Sequence, residues 1–239
     1  MKYLKVIIFL AAFTVILANN TQALLIDSFT TSQTLSLPSP GYTSSSVSGG
    51  IGGERDMELT VSSGVAGSLT SNVPPSSFSL KFNLDSATTG SAQIVWDGGD
   101  GLPAIDYTGL GGADLTESGA NDNIAMRVLY DDDLYSSPIT LSVYTSATQW
   151  SYFTFTRTPH AIPLTLNALF SSFTTGGTSA ADFANVGAIS LLIMGGASAD
   201  MTMDFIESTN ENPVPEPSTL LLLGTALIGM SLFRKKSSK

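Results

Sequence analysis

The chain has 239 residues, of which 43% are hydrophobic and 13% are charged. The fraction of charged residues is about half the usual value, which excludes intrinsic disorder of the type that depends on many charged and polar residues. The chain has no cysteine, which excludes disulfides, thiolate zinc sites, haem attachment and cysteine nucleophiles. All 20 acidic residues lie between Asp27 and Glu216, where few residues are basic, so this region repels phosphate and we expect no nucleic-acid partner.

The N-terminus has the pattern of a secretory signal peptide. Lys2 and Lys5 form a short basic region, an apolar run follows over residues 6–18, and small residues lead up to Ala23. We predict a signal peptide over residues 1–23 with cleavage after Ala23. The alternative is an uncleaved membrane anchor, but the apolar run is short for a membrane span.

Residues 24–211 show the period-two alternation of half-buried β-strands. The apolar sets are Phe78, Leu80, Phe82 and Leu84; Met57, Leu59 and Val61; Ile139, Leu141 and Val143; and Met201, Met203 and Phe205. Further strands are expected at residues 24–29, 92–96, 124–130, 152–156, 162–166 and 187–194. We predict an all-β fold, an antiparallel β-sandwich of the jelly-roll type, with surface loops at residues 44–53 and 176–179.

Two acidic motifs are candidate calcium ligands. Asp97 and Asp100 lie three residues apart in a glycine-rich segment, and Asp131, Asp132 and Asp133 follow one another. Calcium binds six to eight oxygen ligands, which such carboxylates can supply. The alternative is that both motifs are solvated turns, where Asp and Gly are favoured residues.

Catalytic chemistry has few candidate residues in this chain, and we predict no catalytic residues. His160 is the single histidine, and no serine lies in a Gly-x-Ser-x-Gly elbow. Paired carboxylates could serve glycoside hydrolysis, but no acid is distinguished as a proton donor. The prediction is therefore a protein that is not an enzyme, with a secreted glycan-active enzyme as the alternative.

Aromatic side chains are candidates for glycan binding. Tyr144, Trp150 and Tyr152 lie on neighbouring predicted strands, and flat rings with one polar edge pack well on the apolar faces of sugars. The alternative is that these rings belong to the core. We predict that the three residues form a sugar-binding platform.

The C-terminal segment, residues 212–239, has three parts. It begins with a proline-rich, extended spacer that contains Val214, Pro215, Glu216, Pro217 and Ser218. The apolar residues 218–233 are predicted to form a transmembrane helix of roughly 24 Å. The basic tail, residues 234–239, begins with Arg234, Lys235 and Lys236, which are expected to stay on the cytoplasmic side.

The motif at 214–218, the short apolar helix and the basic tail resemble the PEP-CTERM sorting signal of Gram-negative bacteria. The resemblance implies export through the secretion machinery, an intermediate held in the inner membrane, and cleavage near the motif by an exosortase. Residues 182–194 with 201–207, together with residues 53–56, resemble PEP-CTERM ectodomains that have a carbohydrate-binding-module-like sandwich.

The sequence therefore predicts an exported domain over residues 24–211 between two targeting segments. The leading hypothesis is a non-enzymatic protein of the cell surface or of the exopolysaccharide and biofilm matrix. The alternative within the binding class is a carbohydrate-binding module with a specific glycan ligand. Exosortase and exopolysaccharide are the expected partners. We predict no cofactor, with calcium as the alternative.

Overall fold

The computed structural model describes residues 23–73, 76–135 and 137–210, and Ala23–Glu211 form one compact unit. Two short turns of 3-10 helix, Ile51–Gly53 and Phe170–Ser172, accompany the strands. The strands are β1 Leu24–Asp27, β2 Gln33–Leu37, β3 Gly41–Ser48, β4 Glu54–Ser63, β5 Gly67–Val73, β6 Ser76–Leu84, β7 Thr89–Trp96, β8 Asn123–Asp131, β9 Ile139–Tyr144, β10 Trp150–Phe155, β11 Leu164–Leu169, β12 Thr174–Thr175, β13 Ala188–Gly195 and β14 Asp200–Thr209.

The strands form two sheets, and every pairing between these named strands is antiparallel. Sheet A has the order β11-β8-β14-β6-β5-β2, and β1 pairs with the last residues of β14. Sheet B has the order β12-β10-β9-β13-β7-β4-β3. The prediction of an all-β, antiparallel fold is confirmed, whereas the jelly-roll connectivity stays a prediction.

The alternating apolar residues of both sheets form one buried cluster. In sheet B, Met57 of β4, Ile94 of β7 and Leu191 of β13 lie opposite one another in register and are fully buried. In sheet A, Leu80 and Met203 are paired and buried in the same way. The hydrophobic effect therefore places one face of each sheet in a common core, which leaves the other face of each sheet for other roles.

Two apolar residues depart from the alternation that the sequence predicts. Phe78 has a φ of 60° and is 55% exposed, because β6 is irregular where it meets the end of β5. Phe205 follows a shift of register in β14, so Ile206 takes the buried position instead. A β-bulge moves later side chains to the opposite face, and the prediction that these two phenylalanines share the core face is wrong.

The polar run predicted as a surface loop at residues 44–53 is partly a strand. Residues 44–48 belong to β3, which pairs along its whole length with β4 and forms the edge of sheet B. Serine has low strand propensity, but a strand at the edge of a sheet tolerates polar residues because backbone hydrogen bonds to one neighbour hold it. The loop prediction is wrong for residues 44–48.

A buried arginine links the two sheets inside the sandwich. Arg55 of β4 has no exposed surface, and its Nη1 donates to Asp27 Oδ2 of β1 over 2.9 Å. Its Nε donates to Gln33 of β2 and its Nη2 to Ser71 of β5, while Trp96 Nε1 also donates to Asp27. Residues of both sheets therefore provide hydrogen-bond partners for the two charged groups of this buried ion pair.

Several predicted segments lie outside the described residues. They are most of the signal peptide, the proline-rich spacer with Glu216, the apolar residues 218–233 and the basic tail. Within residues 23–73, 76–135 and 137–210, no helix has the length and apolarity needed to cross a membrane. The predicted domain boundaries and cleavage sites stay predictions, and Ala23 is an exposed residue directly before β1.

Candidate functional site

The outer face of sheet B carries both of the residue groups on which the candidate site depends. The register places Tyr152 of β10, Ser142 of β9, Ser190 of β13, Val95 of β7 and Asp56 of β4 in one row across the sheet. Neighbouring strands lie about 4.8 Å apart, so Tyr152 and Asp56, at the two ends of a row that crosses five strands, are separated by roughly 19 Å. One end of the face is therefore aromatic and the other end is acidic.

The predicted aromatic residues lie together at one end of this face. The rings of Tyr144 and Trp150 are 5.5 Å apart with an interplanar angle of 28°, and those of Trp150 and Tyr152 are 5.9 Å apart. Tyr107 adds a fourth ring, 5.2 Å from Tyr144 in an edge-to-face contact. All four side chains are half-buried. We call these four residues the aromatic row.

A glycine packs closely against the Trp150 ring. Gly176 lies beside Trp150, and a Cβ atom at this position would stand 2.3 Å from the indole ring. Only a residue without a side chain permits this approach, so the segment after β12 supports one side of the ring. The aromatic row is thus a fixed surface, since its rings are held by neighbouring rings and by backbone.

Polar side chains lie beside the aromatic row on the same face. The adjacent line across the sheet contains Thr154, Thr140, Leu192, Gln93 and Glu58. Their hydroxyl, amide and carboxylate groups are exposed or half-buried. Flat apolar rings next to polar groups form the kind of surface that binds an amphipathic ligand through both apolar and hydrogen-bonding contacts.

The acidic end of the face is a cluster of carboxylates. Oxygens of Glu54, Asp56 and Asp100 lie within 4.8 Å of one another. Asp97 is a close neighbour of Asp56 and raises its pKa. Asp56 and Asp97 are buried, whereas Glu54 is half-buried and Asp100 is exposed. We call these four residues the acidic cluster.

The connection between β7 and β8 positions the acidic cluster. Asp97 Oδ2 accepts a hydrogen bond from the amide of Asp106 over 2.6 Å, and Glu54 Oε1 accepts one from the amide of Gly101 over 3.0 Å. Gly98 has a φ of 93°, and a Cβ there would stand 2.4 Å from a backbone oxygen of Gly109. The glycines after Trp96 therefore permit a loop that returns its carboxylates to β4.

The buried carboxylates of this cluster have raised pKa values. Burial raises the pKa of Asp56 to about 7, and the negative charges of Asp97 and Glu54 act in the same direction. The nearby Ser46 hydroxyl lowers the pKa of Asp56 and so partly opposes this rise. Ser46 does not form a hydrogen bond with Asp56, because neither carboxylate oxygen of Asp56 has a hydrogen-bond partner. Burial also raises the pKa of Asp97, against the hydrogen bond from Asp106. Ionisation of the two buried carboxyl groups, Asp56 and Asp97, therefore has a high cost in free energy.

The second predicted calcium motif has a different environment. Arg157 Nε and Nη2 donate to the two oxygens of Asp131 over 2.8 and 2.5 Å, and its Nη1 donates to Asp133 over 3.1 Å. Asp132 accepts a hydrogen bond from the backbone amide of Asp200. Calcium binding by this run stays a prediction, but a guanidinium already forms ion pairs with two of its carboxylates.

Three residues of the site were not assigned to it from the sequence. Tyr107 lies in the β7–β8 connection, and tertiary contacts with Tyr144 of β9 and with Gly187, just before β13, bring it to the aromatic row. Glu54 and Asp56 occupy alternate positions of β4, on the face opposite Met57. Acids at two alternate positions of a strand, directly before its apolar alternation, are the sequence signal that could have identified the cluster.

The comparisons with known proteins give one sequence match. Residues 213–236 match the family described as the PEP-CTERM protein-sorting motif. The predicted sorting signal is confirmed, and the motif marks the chain for export and for processing at the membrane. No curated protein sequence matches the chain.

Among solved structures, the chain is similar to carbohydrate-binding modules. The family 11 module of a cellulosomal cellulase of Clostridium thermocellum has a TM-score of 0.39 at 13% identity, over 82% of this chain and 100% of that chain. A family 11 module from Clostridium thermocellum in complex with a β-1,3-1,4-mixed-linked tetrasaccharide has a TM-score of 0.40 at 13% identity, over 79% and 95%. A family 29 module has a TM-score of 0.32 at 8% identity, over 80% and 98%.

Proposed function

We propose that this chain is an exported, non-enzymatic protein whose sheet-B face binds a glycan of the cell surface or matrix. The observation that carries this proposal is the aromatic row, in which Tyr144, Trp150 and Tyr152 lie side by side on a strand face. Aromatic rings that are rigidly held give contact area at a low cost in conformational entropy. The neighbouring line with Thr140 and Gln93 supplies hydrogen-bonding groups for hydroxyls.

The sorting signal supports the proposed location. An exosortase would cleave the membrane-anchored intermediate near Val214–Ser218 and release the domain beyond the inner membrane of a Gram-negative bacterium. Exopolysaccharide is the polymer that the resemblance to PEP-CTERM proteins leads us to expect at this location. The location and the aromatic face therefore favour the same ligand class.

The proposed ligand is a neutral glycan. The formal net charge of the chain is −10, and Glu58 lies in the polar line of the same face. Like charges across an interface oppose association, so an anionic polysaccharide would be repelled unless cations bridge it.

The proposal includes no catalytic step. A glycosidase acid must contact the scissile bond, and the Asp56 carboxyl, whose raised pKa would suit that role, is fully buried. The carboxylates that are accessible at this end, such as Asp100, lie in an exposed loop and not in an apolar cleft. Turnover of a polysaccharide that depends on one of these acids would contradict this part of the proposal.

Calorimetric titration with neutral gluco-, manno- and galacto-oligosaccharides tests the binding part. We expect saturable binding of at least one of them and a loss of affinity of about tenfold or more in Trp150→Ala, which is about 1.4 kcal/mol. Tyr130→Ala is the matched control, because Tyr130 is a half-exposed tyrosine of β8 in the other sheet. Equal affinity of Trp150→Ala and Tyr130→Ala would contradict a site on the aromatic row.

A further inference from the structure

Within the described part of the chain, no basic side chain forms an ion pair with the acidic cluster. Among the described residues, Arg55, Arg127 and Arg157 form ion pairs with acids outside the cluster. Lys81 belongs to β6 of sheet A. Carboxylates that are partly or fully removed from water require a counter-charge, which protons or a bound cation must supply.

Asp56 is the observation that distinguishes this cluster from an ordinary acidic surface. Its side chain is fully buried, its two oxygens have no hydrogen-bond partner, and one of them lies within 4.8 Å of oxygens of Glu54 and Asp100. Asp97 is also buried, and its Oδ1 has no partner. Unpartnered buried oxygens are uncommon in folded proteins, because each loses its hydrogen bonds to water without replacement.

The hydrogen bonds around the cluster leave further oxygens for a ligand. Glu54 and Asp100 each use one oxygen to accept a backbone amide, from Gly101 and Leu102 respectively. Both oxygens of Asp56, Oδ1 of Asp97, and the second oxygens of Glu54 and Asp100 remain. These groups are all hard, anionic oxygen donors, and the chain has neither cysteine nor a second histidine for a softer metal.

We propose that Glu54, Asp56, Asp97 and Asp100 bind a calcium ion. The carboxylates supply most of the six to eight oxygens that calcium requires, and water completes the set. Water and the ion enter from an open groove beside the cluster, which is lined by residues 44–48 of β3 with Glu54, Gly101 and Pro103. The ion would join β4 to the start of the β7–β8 connection.

The chain offers a competing acidic site, and the geometry favours the cluster over it. Asp131 and Asp133 are also buried, but both form ion pairs with Arg157. A cation there would compete with the guanidinium for both oxygens of Asp131 and for one oxygen of Asp133. Calcium binding at the cluster instead supplies a positive charge where the described chain provides none, so the ion adds to the existing contacts without displacing any of them.

The experiment uses the full chain, purified in detergent, stripped with a chelator and then titrated with calcium chloride. Binding to the native state alone raises its stability by mass action. We expect the melting temperature to rise by about 5–10 °C when calcium exceeds its dissociation constant roughly 100-fold. Calorimetry under the same conditions is expected to give one saturable site.

Three variants locate the ion. Asp56→Asn and Asp100→Asn are each expected to weaken calcium binding by about tenfold or more and to remove most of the thermal shift. Asp100 is exposed, so its variant tests the site even if a change at the buried Asp56 impairs folding. Asp85→Asn, the same change in an exposed turn, is expected to keep the full calcium response.

Without calcium, Asp56→Asn is expected to be at least as stable as the wild type, because it removes a buried charge. A residue with a merely structural role would lose stability in both conditions. Identical melting curves with calcium and with chelator would overturn the proposal. A calcium response that Asp100→Asn and Asp85→Asn retain equally would overturn it as well, since the ion would then lie elsewhere.

Discussion

The buried Arg55–Asp27 pair gives the sharpest prediction about stability. Arg55→Met keeps an unbranched side chain in place of the aliphatic stem but removes every hydrogen bond of the guanidinium. It leaves Asp27 buried with only Trp96 Nε1 and the Phe29 amide as donors. Removal of one partner of a buried ion pair typically costs about 3–5 kcal/mol. Because Asp27 keeps two hydrogen bonds, we expect a loss of about 3 kcal/mol in the free energy of unfolding.

Urea denaturation followed by circular dichroism measures this loss. Arg127→Met is the control, because Arg127 and Asp204 form an exposed pair 3.6 Å apart, for which a loss below about 1 kcal/mol is expected. The double variant Arg55→Met/Asp27→Asn is expected to recover part of the stability, since it leaves no unpaired buried charge. Equal, small losses in Arg55→Met and Arg127→Met would refute the role of Arg55 as the link between the sheets.

Three further predictions concern the acidic cluster, the sorting signal and the domain. With calcium chelated, the free energy of unfolding should fall by up to about 4 kcal/mol between about pH 4 and pH 7, because unfolded Asp56 ionises near its usual pKa of 3.8 while the folded carboxyl keeps its proton to about pH 7. Asp56→Asn should show a clearly smaller fall, to which the raised pKa of the buried Asp97 still contributes, and a fall as large as in the wild type would contradict this. Glu216→Ala should leave the full-length chain in the inner membrane, and released protein that mass spectrometry shows to retain Arg234 would contradict processing at the motif. Residues 24–211 should fold alone with a β-rich circular dichroism spectrum and a cooperative melt, because the described core contacts lie within this segment; a spectrum without β-structure would oppose this.

Period-two alternation predicted much of the fold from local sequence. Strands such as β4, β9 and β13 follow their apolar residues closely, since each buries one face against the common core. The serine-rich β3 has no such signal, because its place in sheet B depends on backbone pairing with β4. The irregularities at Phe78 and Phe205 could not be predicted from the sequence either, because a β-bulge depends on the partner strand as much as on the sequence of the bulged strand.

The candidate sites show the same division between local and tertiary information. Tyr144, Trp150 and Tyr152 were found from the sequence because they lie on adjacent strands near one hairpin. Asp56 and Asp100 are 44 positions apart in the chain, and only the fold brings their oxygens together. The ion pair between Arg157 and Asp131 could not be predicted from the sequence either, because only the fold brings these two side chains together.

The most direct test of glycan binding uses the two tryptophans of the chain. Trp96 is fully buried in the core and Trp150 is half-buried in the aromatic row. In a two-dimensional NMR spectrum of protein labelled with ¹⁵N-tryptophan, each indole N–H gives one signal, and Trp150→Phe assigns them. Titration with the oligosaccharide that binds should shift the Trp150 signal and leave the Trp96 signal in place. An unmoved Trp150 signal at saturation, or the absence of any binding oligosaccharide, would contradict the proposal that the sheet-B face is a glycan-binding surface.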